Sequence, residues 1–210
     1  PVIANDLSNQ KVTAIAEDTQ GHIWIGTFRG LNKNNVHDYH QYFCTDDSLG
    51  LPDNQITHLL RDSKNRFWVG TVNGVCLYTD KDNFRIIPIE ADNKNVRQIL
   101  EDRNGRIFLN TGFQLYAYHP REEKITCVLP EISPGNAFYA QCHIAPDNNL
   151  WVMTSTGLRC YDPSTLQLKE SVALSGYPYY SYLHNNELWI TGNHTLSIFD
   201  TRTHLSLIHI

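Results

Sequence analysis

The side chains best equipped for chemistry are the acids Glu17, Asp18, Asp62, Glu101, Asp102 and Asp147, ten histidines and four tryptophans. Carboxylates do acid–base work in pairs, and a retaining glycosidase needs its pair about 5–5.5 Å apart. These acids instead recur at one position of a repeated turn, which is the pattern of turn caps. His37 and His40 are three apart in a predicted strand, so they point to opposite faces and share no ion. No H-E-x-x-H motif, phosphate loop or nucleophile elbow is present. The rings of Trp24, Trp68, Trp151 and Trp189 could stack on sugars. They fall, however, at one register of a repeat, which packing requires and a single ligand does not. The residues therefore predict no catalytic group, no metal site and no cofactor.

Composition narrows the classes further. The chain has 210 residues, of which 41% are hydrophobic and 19% charged, enough to bury a core. Seventeen basic against twenty-two acidic side chains leave a formal charge of −5, a poor balance for gripping a nucleic-acid backbone. No stretch approaches the roughly 20 apolar residues of a membrane helix. The segment from Pro1 to Asp6 has no Met, no basic region and no apolar region, as expected after loss of a leader or in a piece of a longer chain. The five cysteines, Cys44, Cys76, Cys127, Cys142 and Cys160, form no C-x-x-C pair and read as buried free thiols. A Cys142–Cys160 bridge is the alternative.

What positions these residues is a repeat. Bulky anchors at Trp24, Trp68, Phe108, Trp151 and Trp189 are 44, 40, 43 and 38 residues apart. Seven residues after each stands an aliphatic: Leu31, Val75, Leu115, Leu158 and Leu196. Three residues before each stands Gly21, Asn65, Gly105, Asn148 or Asn186, types that take positive φ at low cost. A tight turn is thus expected before every anchor strand, its loop one residue shorter in the fourth repeat and two shorter in the fifth. First strands are predicted at 12–16, 56–60, 96–100, 140–144 and 180–183. Third strands follow the anchors at 75–79, 115–119, 158–162 and 196–200. Fourth, more polar strands are expected at 36–42, 84–87, 125–129, 168–172 and 205–208. Ile23 and Ile25 take one face of their strand and Trp24 the other, so both faces are apolar and both are expected to be covered. Four short strands in about 42 residues make a propeller blade. The fold class is therefore all-β: a β-propeller segment of four-stranded antiparallel blades, five in this chain, spanning about 1–52, 53–94, 95–136, 137–178 and 179–210.

The segment from Val12 to Leu31, VTAIAEDTQGHIWIGTFRGL, resembles the two-component regulator propeller repeat. So does that from Asn54 to Val75, NQITHLLRDSKNRFWVGTVNGV, with Ser48 and Leu49 ahead of it resembling the loop that introduces such repeats. The third repeat has Phe108 for Trp and Asn110 for Gly, the fourth has Met153 for Gly, and the fifth keeps little beyond Leu188, Trp189 and Ile190. The resemblance implies a fragment of a seven-bladed ring, a closed five-bladed ring being the alternative. It also implies the periplasmic sensor region of a bacterial hybrid two-component histidine kinase that responds to carbohydrate. The implied partners are an oligosaccharide, the remaining blades, downstream sensor domains of the parent chain and a second copy. No nucleic-acid partner is implied for this segment.

Binding residues are expected where the repeat does not keep its residue type. Five residues past the anchors stand Arg29, Asn73, Phe113, Thr156 and His194, in turns between second and third strands. Arg29 suits an acidic sugar and Phe113 a pyranose face. Asn193-His194-Thr195 matches a glycosylation pattern but reads as an ordinary turn. A propeller lyase or glycosidase, and a protein-interaction scaffold, are the competing functions.

Overall fold

The structure, a computed structural model, describes residues 2–3, 6–34, 39–45, 50–79, 82–132, 140–174 and 176–209. The predicted loop at Ser48 and Leu49, and His37, lie outside these. The strands form five antiparallel sheets, and among the described residues there is no α-helix. The first sheet contains β1 (Val2–Ile3), β2 (Val12–Glu17), β3 (Ile23–Thr27), β4 (Gly30–Asn34) and β5 (Tyr39–Tyr42), in the order β1-β5-β4-β3-β2. The short β1 is a fifth strand that the repeat did not predict; it pairs with β5 and covers that edge. The second sheet is β6 (Ile56–Arg61), β7 (Phe67–Thr71), β8 (Gly74–Tyr78) and β9 (Phe84–Ile87). The third is β10 (Gln98–Glu101), β11 (Ile107–Asn110), β12 (Leu115–His119) and β13 (Lys124–Leu129). The fourth is β14 (Gln141–Ile144), β15 (Leu150–Thr154), β16 (Gly157–Tyr161) and β17 (Leu168–Ala173). The fifth is β18 (Pro178–His184), β19 (Glu187–Gly192), β20 (Thr195–Asp200) and β21 (Leu205–His209). In each of these four sheets the strands lie side by side in chain order.

Contacts divide the chain into two compact units, Pro1–Thr111 with Tyr116–Cys127, and Gly112–Leu115 with Val128–Ile210. In the first unit, Trp24 and Leu31 of the first sheet pack with Leu59, Phe67 and Val69 of the second. Trp68, Val75 and Leu77 on the opposite face of the second sheet pack with Ile99, Ile107 and Leu109 of the third. Strand alternation explains the division: Phe67 and Val69 point one way and Trp68 the other. Sheets can approach this closely because the anchor strands carry glycine. A Cβ on Gly26 would lie 2.5 Å from Ile56 Cγ2, and one on Gly70 3.1 Å from Val96 Cγ1. In the second unit Trp151, Met153 and Leu158 pack against Leu188, Ile190 and Phe199. Met153 fills with a side chain the space that glycine leaves in the first two repeats.

The turns before the anchors carry positive φ at Gly21 (80°), Asn65 (61°), Gly105 (74°) and Asn148 (68°). In the fifth repeat the residue is Asn185 (54°), one earlier than predicted, because only Asn185 and Asn186 separate β18 from β19. The fourth turn is not shortened. Ala145 N–H donates to Asn149 O at 2.9 Å, as Asp62 N–H donates to Arg66 O at 3.0 Å, so the two loops have equal length.

Two further expectations are corrected. Trp24, Trp68 and Trp151 are 0% exposed, but Trp189 is 37% exposed. Its neighbours Leu188 and Ile190 face the fourth sheet, and alternation puts Trp189 on the face that no described sheet covers. Tyr182 pairs across from Trp189 and is 58% exposed, and Val12, Ile15 and Ile23 are likewise exposed on the first sheet. All five cysteines are free, so Cys142 and Cys160 are not bridged, and Cys44 and Cys127 are exposed rather than buried. Burial pushes the Cys142 thiol up to about 12 and that of Cys160 up to about 11, which leaves both protonated and unreactive at neutral pH.

Candidate functional site

The acids turn out to be structural. Asp18 accepts hydrogen bonds from Gln20 N (2.9 Å), His22 N (3.0 Å) and Trp24 Nε1 (2.8 Å), and is 2.9 Å from His22 Nδ1. Burial alone would raise its pKa, but the bonds from Trp24 and His22 outweigh it and hold the carboxyl below the ordinary value. Asp62 is bound in the same way by Lys64 N, Arg66 N, Arg66 Nε and Trp68 Nε1, at 2.6 to 3.0 Å. Asp102 repeats the pattern with Asn104 N, Arg106 N and Arg106 Nε. In the fourth repeat Ala145 holds the place of these aspartates, so Trp151 Nε1 is buried with no partner among the described residues, and Asp147 caps Asn149 instead. Asp18 and Asp62 are thus engaged by their own turn and anchor, and Asp102 by its turn and Arg106.

The five variable turn residues Arg29, Asn73, Phe113, Thr156 and His194 are all exposed. A buried threonine braces three of these turns. Thr27, Thr71 and Thr154 donate Oγ1–H to the carbonyls of Gly30, Gly74 and Gly157 at 2.8, 2.9 and 3.0 Å. The same hydroxyl oxygens accept from Arg29 N (3.1 Å), Asn73 N (3.2 Å) and Thr156 N (3.3 Å). His194 takes positive φ (58°) in a tighter turn, and Asn193-His194 joins β19 to β20 as the ordinary turn expected. Phe113 O accepts from Ile132 N at 3.0 Å. Arg29, Asn73 and Thr156 thus stand on hydrogen-bonded turns, and all five side chains reach solvent.

A cleft of about 420 Å³ opens elsewhere, between the first and second sheets and beside the turns that precede the anchors. Asp18, Lys33, Arg61, Asn65, Phe67 and Tyr78 line it. The sequence reading missed this place because it followed the other set of turns. A signal existed: nine residues past the anchor the other repeats carry Leu77, Ala117, Cys160 and Ile198, whereas the first carries Lys33. Lys33 Nζ sits 5.1 Å from the Trp24 ring and 5.0 Å from the Tyr78 ring, and donates to Tyr78 Oη at 3.2 Å. Tyr78 in turn donates to Asp82 Oδ1 at 2.9 Å, and Tyr42 donates to the same oxygen at 2.6 Å. Burial and then the Asp82 carboxylate raise the Tyr78 hydroxyl above its ordinary pKa, so it stays protonated. Arg61 Nη1 donates to Asp18 O at 3.2 Å.

Antiparallel sheets stacked within each unit, with Trp24, Trp68 and Trp151 each buried against the following sheet, define a propeller-type repeat protein. Residues 6–29 and 50–73 match the family described as two component regulator propeller, and the chain carries repeats of that family. No curated protein matches the chain in sequence. Among solved structures it is similar to virginiamycin B lyase from Staphylococcus aureus, with a TM-score of 0.74, 16% identity, and 98% of this chain covering 72% of that one. It is also similar to the extracellular domains of two hybrid two component systems from B. thetaiotaomicron. One gives a TM-score of 0.62 at 18% identity over 97% of this chain, the other 0.56 at 16% over 94%. The chain spans 35% and 36% of those two domains. At such identities the likeness is one of fold, shared by an enzyme and by extracellular domains of two component systems alike.

Proposed function

We propose that this chain is a non-catalytic propeller segment of the sensor region of a hybrid two-component receptor, placed in the periplasm and responsive to a carbohydrate. The observation that carries the reading is the pair of two component regulator propeller repeats at residues 6–29 and 50–73. The consumption of Asp18, Asp62 and Asp102 as turn caps supports a binding role over a hydrolytic one. The exposed residues Arg29, Asn73, Phe113, Thr156 and His194 are proposed as ligand contacts, with Phe113 as a stacking platform. The exposed face of Trp189 and Tyr182 is proposed to receive a further sheet of the same kind, as the faces of Trp24, Trp68 and Trp151 do. That sheet belongs to the remaining blades of the parent chain, and the parent dimer carries the signal to a kinase. A ligand shifts such a dimer only if it binds one arrangement more tightly than the other.

Calorimetry of the chain against neutral and acidic oligosaccharides, with a reducing-end assay on the same mixtures, tests the proposal. Saturable binding without new reducing ends is expected. New reducing ends would favour a propeller lyase or glycosidase, and silence across the panel would remove the carbohydrate.

A further inference from the structure

We propose that the cleft between the first and second sheets is a receptor site for an acidic sugar residue, whose carboxylate or sulfate group is held between Lys33 and Arg61. This rests on the carbohydrate reading above and adds the site and the charge of the ligand.

Three departures from the repeat converge there. Lys33 pairs across from Trp24, at a register where the other sheets put Leu77 opposite Trp68, Cys160 opposite Trp151 and Ile198 opposite Trp189. An apolar residue suffices for packing at that register, so packing does not account for a lysine. Arg61 ends the first strand of its sheet where the third sheet has Glu101. Glu101 reaches back across its seam to Ser63 N at 2.8 Å and Ser63 Oγ at 2.5 Å, tying the two sheets together. Arg61 makes one bond to a backbone carbonyl and leaves the rest of its fork toward the cleft. His22 stands where the second repeat has Arg66, whose guanidinium covers Trp68 and Tyr118 at 5.1 and 5.3 Å. The shorter imidazole binds its turn aspartate as Arg66 does but brings no guanidinium over the rings of its seam.

Charge selects the ligand. Among the described residues neither Lys33 nor Arg61 has a carboxylate within ion-pair distance. Asp18 is committed to its turn and to Trp24, and Asp82 to two tyrosine hydroxyls. Asp18 and Asp82 stay ionised and Asp82 feels the Lys33 charge, but their oxygens are occupied, so the remaining N–H donors of Lys33 and Arg61 are left to meet ligand oxygens, and the guanidinium fork matches those of a carboxylate or sulfate. Shape selects the rest. A volume of about 420 Å³ lies within the usual range for small-ligand pockets, roughly 300–1,000 Å³. Phe67 and Tyr78 give it an aromatic wall for the C–H face of a sugar ring, and Asn65 gives it an amide for a hydroxyl.

The test is calorimetry of the 210-residue chain with glucuronate, glucose 6-sulfate and glucose. It is repeated on Lys33→Leu and Arg61→Glu, which place in the first seam the residue types of other seams. Thermal melts confirm that both variants fold. At least one of the two acidic sugars should bind, at least tenfold more tightly than glucose, and each variant should weaken it about tenfold or more. The Trp24 Nε1–H resonance should shift on binding while that of Trp68 stays put. Which acidic probe binds tells carboxylate from sulfate. Equal binding of glucose and the acidic sugars, unchanged in both variants, would overturn the site and leave the carbohydrate reading standing. Failure of all three probes, with the longer oligosaccharides also silent, would overturn both.

Discussion

The seams on the two sides of the second sheet are built from one plan and finished differently. In each, an anchor tryptophan meets edge-on a tyrosine at the end of the next sheet's third strand. Trp24 and Tyr78 are 4.7 Å apart at 65°, Trp68 and Tyr118 5.0 Å apart at 75°. In each, a cation lies over both rings. Across the seam of Trp68 that cation is Arg66, tied to a fully buried Asp62, and Glu101 clamps Ser63, so the seam is closed. At the seam of Trp24 the cation is Lys33, reached from the opposite side, and His22 and Arg61 leave a cleft. The lesson is that aromatic packing sets how sheets stack, while two or three polar residues at the rim decide whether the stack admits a ligand.

The largest expected effect breaks the packing that both seams share. Trp68→Ala should cost about 3–5 kcal/mol in denaturant unfolding, the usual range for emptying a buried aromatic site. Trp189→Ala, on the exposed face, should cost under about 1 kcal/mol. Equal losses would mean that Trp189 is covered after all.

Asp62→Ala strips four hydrogen bonds and leaves Arg66 without its acid, so a loss of about 3 kcal/mol is expected. Asp18→Ala, at the partly exposed rim of the open seam, should lose roughly half as much. Reversal of that order by urea titration would refute the contrast between closed and open rims.

Acid should act next, through His58 at the closed seam. Its Nδ1 accepts from Ile99 N at 3.2 Å, and burial pushes its pKa down to about 4. His143, which is 2.7 Å from Ser181 Oγ, is likewise pushed down to about 4 by burial. A folded pKa below the unfolded value of about 6.5 means that the unfolded chain takes up the proton first. Stability should therefore be complete above pH 6.5 and fall progressively as pH drops toward 4. Urea midpoints measured from pH 7.5 to 4 should show the decline, and His58→Asn should flatten part of it.

The smallest effect sharpens the comparison by converting one seam into the other. His22→Arg combined with Lys33→Leu should lay a guanidinium over Trp24 and Tyr78, raise stability by about 1 kcal/mol and close the cleft. An unchanged melting temperature would show that more than these residues separates the two rims.

Much of this molecule was legible in the order of its residues. Anchor spacing located all five second strands, and Gly21, Asn65, Gly105 and Asn148 marked their turns because few residues accept positive φ. The aspartates were readable as caps from their repeated place, and Asp18 and Asp62 behave so. Loop length misled where the landmark itself had changed: Ala145 stands in for aspartate, so Asp147 was taken for the turn acid. The fate of Trp189 was out of reach, since its chemistry matches the other anchors and only the presence of a covering sheet distinguishes them.

Periodicity is local, and strand, turn and facing are local consequences of it, so the sequence by itself determined an all-β chain of repeated sheets with alternating apolar faces. The cleft is not local. Lys33 and Arg61 are 28 residues apart and come to line one cleft only when one sheet is laid against the next. Which rim side chain is long enough to fill the gap, and which charge is left without a partner, are questions of distance across a seam, and tertiary packing alone answers them.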